Sequence, residues 1–285
     1  MSSHGADAVA ASRAPLTGDA VEPLVKSGVL TRAAVVNAAA STNSELLEAL
    51  AADPVPWPHL SAFVADHQTA GRGRAGRVWE TPAGAALTVS LVIRPQGIGR
   101  SAWGWAPLVV GLATVRALRS WGVEAWVKWP NDIIVQTDTD SVPGWGRWRK
   151  CVGILCESAP GQDAVIAGIG INVSQGADEL PVPHATSLAL VQAGTLDRVS
   201  LLRSVALELG SAVAAWEGDD TSIPISHDVA AVCASIGWDV TVDVPSGPPV
   251  AGTAIGLSDE GGLVIQTPSG QRRTVLAGDV RVRQS

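Results

Sequence analysis

The sequence predicts an α+β protein: a mixed β-sheet backed by helices, followed by a small β-barrel module. Three observations carry that expectation. Apolar, β-branched runs of strand length occupy residues 60–66, 86–93, 151–158 and 164–173. Between and after them, residues 107–118 and 201–216 repeat apolar side chains at helical spacing. Beyond Gly237 the pattern changes to short alternating stretches, with Val240, Val242 and Val244 set between Asp239, Thr241 and Asp243 and a turn at Gly261-Gly262.

Taken in order, residues 1–30 are rich in Ala, Ser, Gly and Pro and are expected to form a loose tail. Val35-Val36 predicts a short strand. Thr42 followed by Glu45 has the pattern of a capping box, and Leu46, Leu47 and Leu50 continue at helical spacing. The strand at 60–66 runs into a loop, Gly71-Arg72-Gly73-Arg74-Ala75-Gly76-Arg77-Val78-Trp79, and a second strand follows at 86–93. In the helix at 107–118, Leu108, Leu112, Val115 and Leu118 share a face. Trp126 to Lys128 is extended. Lys128-Trp129-Pro130-Asn131-Asp132 is a turn, because Pro130 excludes the α region for Trp129. A strand resumes at 133–136, and a polar excursion with Trp145 and Trp148 fills 137–149. The strands at 151–158 and 164–173 form a hairpin, and residues 201–216 make the clearest amphipathic helix.

Composition narrows the function. Apolar residues make up 46% of the 285, enough for a substantial core, and the net charge of −7 argues against a nucleic-acid-binding surface. Three cysteines make no disulfide framework, and no signal peptide or run of 18 apolar residues is found, so a cytoplasmic protein with no membrane partner is expected. Cys151 and Cys156 fall on opposite faces of one strand, which disfavours a metal pair. All but three of the 20 basic residues are arginine; the lysines are Lys26, Lys128 and Lys150. Base composition accounts for most of that bias, yet a retained lysine marks a place where a compact ammonium differs from a guanidinium.

The chemistry centres on the Gly/Arg loop. Gly71-x-Gly73-x-x-Gly76 matches the dinucleotide fingerprint literally, but a strand follows where a helix is required and Arg94-Pro95-Gln96 stands where the acid belongs. What remains is an anion loop: glycines admit close backbone approach and guanidinium groups offer paired donors. Lys128 at the end of an interior strand needs an anion. An ion pair with Asp132 supplies one; alternatively Asn131 and Asp132 hold Mg²⁺ and its phosphates. Gly168-Ile169-Gly170-Ile171-Asn172 puts glycines on one parity, which either lets a ligand lie flat on the strand or marks a bulge. No activated nucleophile is present, so the expected catalysis is positioning and charge neutralisation by two cations, Arg72 or Arg74 and Lys128.

Ser41-Thr42-Asn43, the run Gln68 to Trp79, Lys128 to Asp132, Gly153-Ile154-Leu155-Cys156-Glu157 and Gly168 to Asn172 resemble, in order and spacing, the motifs of biotin–protein ligases. The resemblance implies an α+β catalytic domain over residues 31–232 and an SH3-like β-barrel domain over 233–285. It implies an ATP-dependent ligase that joins biotin to AMP and passes it to a lysine of a biotin carboxyl carrier protein domain. Biotin would be bound by Ser41, Thr42, Asn43, Gln68, Gly71, Arg72, Gly73, Arg74, Lys128 and Gly153. ATP would be bound by Arg72, Arg74, Trp79, Lys128, Asn131, Asp132, Gly170 and Asn172, with Lys128 and Arg72 catalytic. No dedicated metal site is implied: Mg²⁺ arrives with ATP, with Asp132 its candidate ligand. The Gly/Arg loop is expected to be mobile until ligand orders it. The excursion at 137–149 is longer than the family's usual hairpin, and the short N-terminus implies a ligase without repressor activity; a monomer or weak homodimer is expected. The alternatives are a lipoate or octanoate ligase or transferase of the same fold, whose own Gly-rich motif is absent, and a biotin-binding protein without catalysis, which the retained Lys128 and arginines disfavour.

Overall fold

Parity along the strands sorts an apolar face from a polar one, and that sorting places the site. The computed structural model describes residues 9, 11–218, 225–245 and 247–282. Seven strands form the first sheet: β1 (Arg32–Ala39), β2 (Ser61–Gln68), β3 (Ala86–Ile93), β4 (Ala125–Lys128), β5 (Asp132–Gln136), β6 (Trp148–Ser158) and β7 (Val165–Asn172). Their order is β1-β2-β3-β7-β6-β5-β4, with β1–β2 parallel and the other pairs antiparallel. On β3, Leu87, Val89, Leu91 and Ile93 enter the main core, while the alternate positions Thr88 and Ser90 face the other way. On β7, Val165, Ala167, Ile169 and Ile171 do the same, leaving Gly168 and Gly170 on the opposite side. Both ladders of β7 are regular through these glycines, so of the two alternatives the bulge is not the one adopted; the register shift in this sheet lies at Ile133/Ile134.

Among the described residues, five helices of eight or more residues accompany the sheets: α1 (Gly18–Lys26), α2 (Thr42–Ala52), α3 (Ala106–Arg119), α4 (Arg198–Glu217) and α5 (Ile225–Val232). Helix α3 is buried nearly all round, between the sheet and α4. Helix α4 starts where the Asp197 carboxylate accepts the Ser200 N–H at 2.9 Å. By length and composition α4 alone among the described helices passes for a membrane span, but Leu201, Leu202, Val205, Leu209 and Val213 are buried in the protein core. Helix α2 covers the other face of the sheet, packing Leu46 and Leu50 against Val92 and Ile166.

The expected loose tail is corrected from residue 11 onward. Thr17 caps α1 by accepting the Ala20 N–H, and Leu16, Val21, Leu24 and Leu30 join the main core. The strap before α1 is held by polar anchors. Arg198, buried on α4, donates to the carbonyls of Ser12 and Ala14 and pairs with Asp66 at 2.8 Å, while Asp66 accepts the Leu16 N–H. Arg13 also pairs with Glu179 at 2.5 Å, and that hydrogen bond holds the Glu179 carboxyl at about 2. The folded pKa is depressed, so the stability from this pair is complete above the ordinary carboxylate range and disappears as pH falls towards 2. Residues 1–8 and 10 of the expected tail lie outside the described residues.

A second sheet comprises β8 (Asp239–Asp243), β9 (Val250–Leu257), β10 (Leu263–Gln266), β11 (Arg272–Val275) and β12 (Asp279–Val282). It is antiparallel throughout in the order β11-β10-β9-β8-β12. This is the small SH3-like module; its ladder is open between β11 and β12 among the described residues. Cys233 and Ala234 still pair with Val127 of β4, so the connection runs along the first sheet's edge before entering the module. Indole donors lock the two together: Trp129 donates to Gly261 O at 3.0 Å and Trp105 to Asp259 O at 2.7 Å.

Candidate active site

The polar face of the sheet carries a cavity beneath the Gly/Arg loop. One wall is the start of α2. The helix begins at Thr42, with Ser41 at the N-cap making no side-chain cap bond, so the expected Thr42–Glu45 capping box does not form. Gln68, at the end of β2, supplies the cap: its Oε1 accepts from the Thr42 N–H at 2.8 Å and the Thr42 hydroxyl at 3.1 Å. The Ser90 hydroxyl lies within hydrogen-bond distance of Thr42 Oγ1, at 2.8 Å, and of Asn43 Oδ1, at 2.6 Å, and Asn43 donates to Leu155 O and Glu157 Oε2. Five polar side chains, Thr42, Asn43, Gln68, Ser90 and Glu157, are thus fixed against one another before any ligand is considered.

The loop folds back as a tight hairpin. Arg72 bridges Val78, and Ala75 and Gly76 reverse the chain with left-handed φ of 53° and 73°. Gly71 is needed for closure, because a Cβ there would collide with the Trp79 carbonyl. Three arginines pin the loop: Arg72 to Glu157 at 2.8 Å, Arg74 to Asn131 at 3.4 Å, and Arg77 to Asp279 of the SH3-like module. Burial pulls the Arg74 guanidinium below its usual pKa, partly offset by Asp279 and Asp132.

Trp79 fills the glycine floor. Gly153 and Gly170 are cross-strand partners, and the indole lies across both; an added Cβ would stand 2.8 Å and 2.6 Å from its ring atoms. At Gly168 the close neighbour is the Asn43 amide. The glycine parity therefore does permit a flat contact, and the side chain making it is Trp79, whose indole N–H is buried without a hydrogen-bond partner.

The cavity is lined by Ser41, Thr42, Asn43, Gln68, Arg72, Gly73, Arg74, Trp79, Asn131, Asp132, Gly153 and Gly170, all expected from the sequence, and by Lys150, which was not. Three expected residues are not on its wall. Gly71 serves the loop's own closure. Asn172 is buried and committed, donating to Thr186 O at 2.9 Å and accepting from Gln175 at 3.0 Å. Lys128 is 4% exposed, and it does not share a cavity with Arg72. Its ammonium lies 3.7 Å from Asp132 Oδ2 and 4.4 Å over the Trp145 ring, so the simpler expectation, an ion pair with Asp132, holds. Burial lowers its pKa, and Asp132 opposes that shift.

Lys150 reaches the cavity instead. Its ammonium is 2.5 Å from Asp132 Oδ1 and 5.5 Å from the Trp79 ring centre. Burial raises the Asp132 pKa, but Lys150 and Lys128 outweigh it, leaving the carboxyl below its usual value. Asp132 does not fit as a Mg²⁺ ligand, because each oxygen already faces an ammonium group. No cluster of three or more metal-ligating side chains occurs among the described residues. Burial raises the thiols of Cys151 and Cys156 to about 12, so neither is a thiolate at neutral pH.

Residues 40–174 match the model of the biotin/lipoate A/B protein ligase family, and residues 236–283 match the biotin protein ligase C-terminal domain. The biotin--[acetyl-CoA-carboxylase] ligase of Mycobacterium tuberculosis is 34% identical over 250 residues, covering 86% of this chain and 87% of that one. The chain belongs to the biotin–protein ligase family. A second such ligase, from Paracoccus denitrificans, is 35% identical over 251 residues, 84% of this chain and 96% of its own. Among solved structures, the biotin protein ligase of Aquifex aeolicus in complex with biotin and ATP superposes with a TM-score of 0.69 at 27% identity, covering 90% of this chain and all of that one. These relatives are biotin ligases, as the motifs led one to expect, and they do not favour the lipoate alternative.

Proposed function

We propose that this ligase activates biotin with MgATP to biotinyl-5′-AMP in the cavity under the Gly/Arg loop and transfers biotin to a lysine of a biotin carboxyl carrier domain. The observation that carries this reading is the meeting of Arg72, Arg74 and Lys150 with the polar wall of Ser41, Thr42, Asn43 and Gln68 in one cavity. A carboxylate and a phosphate repel each other, and cations fixed in a partly dry site offset that repulsion without reorganising at the moment of reaction. Asn43 and Gln68 orient the uncharged end of biotin; Arg74 and Lys150 hold its carboxylate against the α-phosphate. A carboxylate oxygen then bonds to the α-phosphorus as the bond to pyrophosphate breaks. In the second step the acceptor amine bonds to the biotin carbonyl carbon, AMP leaves with the C–O electrons, and the amine gives up a proton. Mg²⁺ enters as part of the nucleotide substrate, and none of these residue roles runs through it.

The open space in the cavity is about 100 Å³, below the roughly 300–1,000 Å³ of small-molecule sites. Trp79 and the loop fill it, so substrate entry requires them to lift and reseat, with the indole N–H offering a donor to the bound ligand. Gly170→Ala tests this seating. A Cβ there obstructs the indole but leaves the strand backbone extended, so the binding of biotin should weaken by about tenfold or more, a penalty of ~1–3 kcal/mol for overpacking. Isothermal titration with biotin and MgATP reads the affinity, and a thermal melt close to wild type separates it from misfolding. Unchanged affinity would mean that Trp79 need not occupy the floor.

Intact mass of an acceptor carrier domain after incubation with the enzyme, biotin and MgATP tests the whole reaction. The expected product carries one biotin; addition of lipoate in a parallel arm at equal rate would contradict the reading.

A further inference from the structure

Lys128 and the excursion between β5 and β6 remain outside the chemistry just described, yet they connect to it. Lys150 is paired with a neighbouring segment through a parallel bridge to Ala185: its N–H donates to His184 O at 2.7 Å, and Thr186 N–H returns to Lys150 O at 2.8 Å. That pairing places the His184 ring against Trp145 of the excursion, stacked at 4.2 Å between centroids and 12° between planes. Burial pushes the imidazole down to about 4, so it stacks as a neutral ring at neutral pH. The excursion is itself tied back: Val142 pairs with Gly146, Arg149 donates to Gly146 O and Asp140 O, and Val282 N–H donates to Gly144 O. Trp145 is thus held from both sides, with its ring face presented to the Lys128 ammonium at 4.4 Å.

We infer that Trp145, clamped by His184, is a positioning residue: it keeps the Lys128 ammonium seated on one oxygen of Asp132, so that Lys150 shares the carboxylate and its ammonium stays available at the cavity. The inference rests on the proposed role of Lys150 as a cation for the anionic substrates. The geometry is a chain of contacts, Trp145 to Lys128, Lys128 to Asp132 and Asp132 to Lys150, of which only the last two residues line the cavity. A carboxylate paired with Lys150 alone would hold that ammonium more tightly against any incoming phosphate. Lys128, seated under an aromatic face where a desolvated cation is attracted, divides the negative charge of Asp132 between two partners. The other charged groups near Lys128 are Arg77 of the loop and Asp279 of the SH3-like module, the pair that ties these elements together.

The protein contains only three lysines, one of them the exposed Lys26, which makes the inference unusually accessible to ¹³C-lysine NMR on the intact chain. In the wild type the Lys128 ε-methylene should be displaced upfield by the Trp145 ring current, away from the Lys26 signal. In Trp145→Ala that displacement should vanish and the Lys150 signal should move as well, while Trp145→Phe keeps both near their original places. In biotin-dependent ATP–pyrophosphate exchange, Trp145→Ala should raise the KM for biotin or MgATP by about tenfold, the scale of one desolvated cation–π contact, with Trp145→Phe largely restoring it. If Trp145→Ala does not fold, His184→Ala removes only the stacking partner and is read by the same signals. A Lys128 resonance at the exposed position in the wild type overturns the inference. So does an unmoved Lys150 resonance with unchanged KM in the variants. Absence of exchange in the wild type would strike the proposed function instead, and the Lys150 resonance would still decide the positioning role.

Discussion

Lys150→Ala is expected to lower biotin-dependent pyrophosphate exchange by about 10²–10³-fold, the range for deleting one preorganised charge from a reacting centre. The ammonium is the charged group that β6 contributes to the cavity, 2.5 Å from Asp132 and near Trp79, whereas Lys128 is sealed behind Asp132. Removing Lys150 also leaves Asp132 with one cation at 3.7 Å and a net negative edge towards the incoming phosphates. The loss should therefore fall on kcat as well as on nucleotide binding. Lys150→Arg should rescue poorly, since a planar guanidinium cannot occupy the same point between Asp132 and the indole. Single-turnover formation of the adenylate is the measurement. Exchange within a fewfold of wild type would remove Lys150 from the chemistry and return the question to Arg72 and Arg74.

Arg198→Ala should cost about 3–5 kcal/mol, because it strands a carboxylate in the interior. The guanidinium is 1% exposed and pairs with Asp66, itself 10% exposed, while also holding the carbonyls of Ser12, Ala14 and Ala86. For a chain of this size the thermal midpoint should fall by about 10 °C. The double variant Asp66→Asn with Arg198→Met is the control: with neither charge present, it should lose less than the sum of the single variants. The strap at residues 11–16 should become more protease-sensitive in Arg198→Ala, since that side chain holds the carbonyls of Ser12 and Ala14 and its loss leaves the Asp66 and Arg13–Glu179 anchors. Equal midpoints for variant and wild type would show that the Arg198 anchors are dispensable and that the strap holds through Leu16 packing and its remaining polar contacts.

Strand and helix identity in the middle of the chain was legible because parity and helical spacing are local. The strand expected at residues 86–93 is β3 to the residue, and the helix at 107–118 is α3 with one residue added at each end. The strap and α1 were missed because Ala, Ser, Gly and Pro mask a sparse apolar face; Leu16, Val21, Leu24 and Leu30 were the available signal. Long-range partners were out of reach in principle. Nothing near Thr42 indicates that Gln68, 26 residues on, caps its helix, and glycine parity does not say that Trp79 is what lies on the floor.

The exchange of Lys128 for Lys150 is more instructive. Both are rare lysines in an arginine-rich chain, and the same reasoning applied to each. Lys128 stood in a motif beside a proline turn, while Lys150 closed a polar excursion that hid its pairing with β5. Only three-dimensional register, with Lys128 opposite Asp132 and Lys150 opposite Ile134, separates the sealed ammonium from the one at the cavity.

The most direct measurement is recovery of the intermediate itself. The enzyme is incubated with biotin and MgATP without any acceptor, passed through a desalting column, and the bound small molecule is identified by mass. Stoichiometric biotinyl-5′-AMP retained by the wild type, and lost in Lys150→Ala, is the expected result. Absence of the adenylate from the wild type, or its full retention in Lys150→Ala, would contradict a cavity in which that ammonium and the loop arginines bring carboxylate and phosphate together.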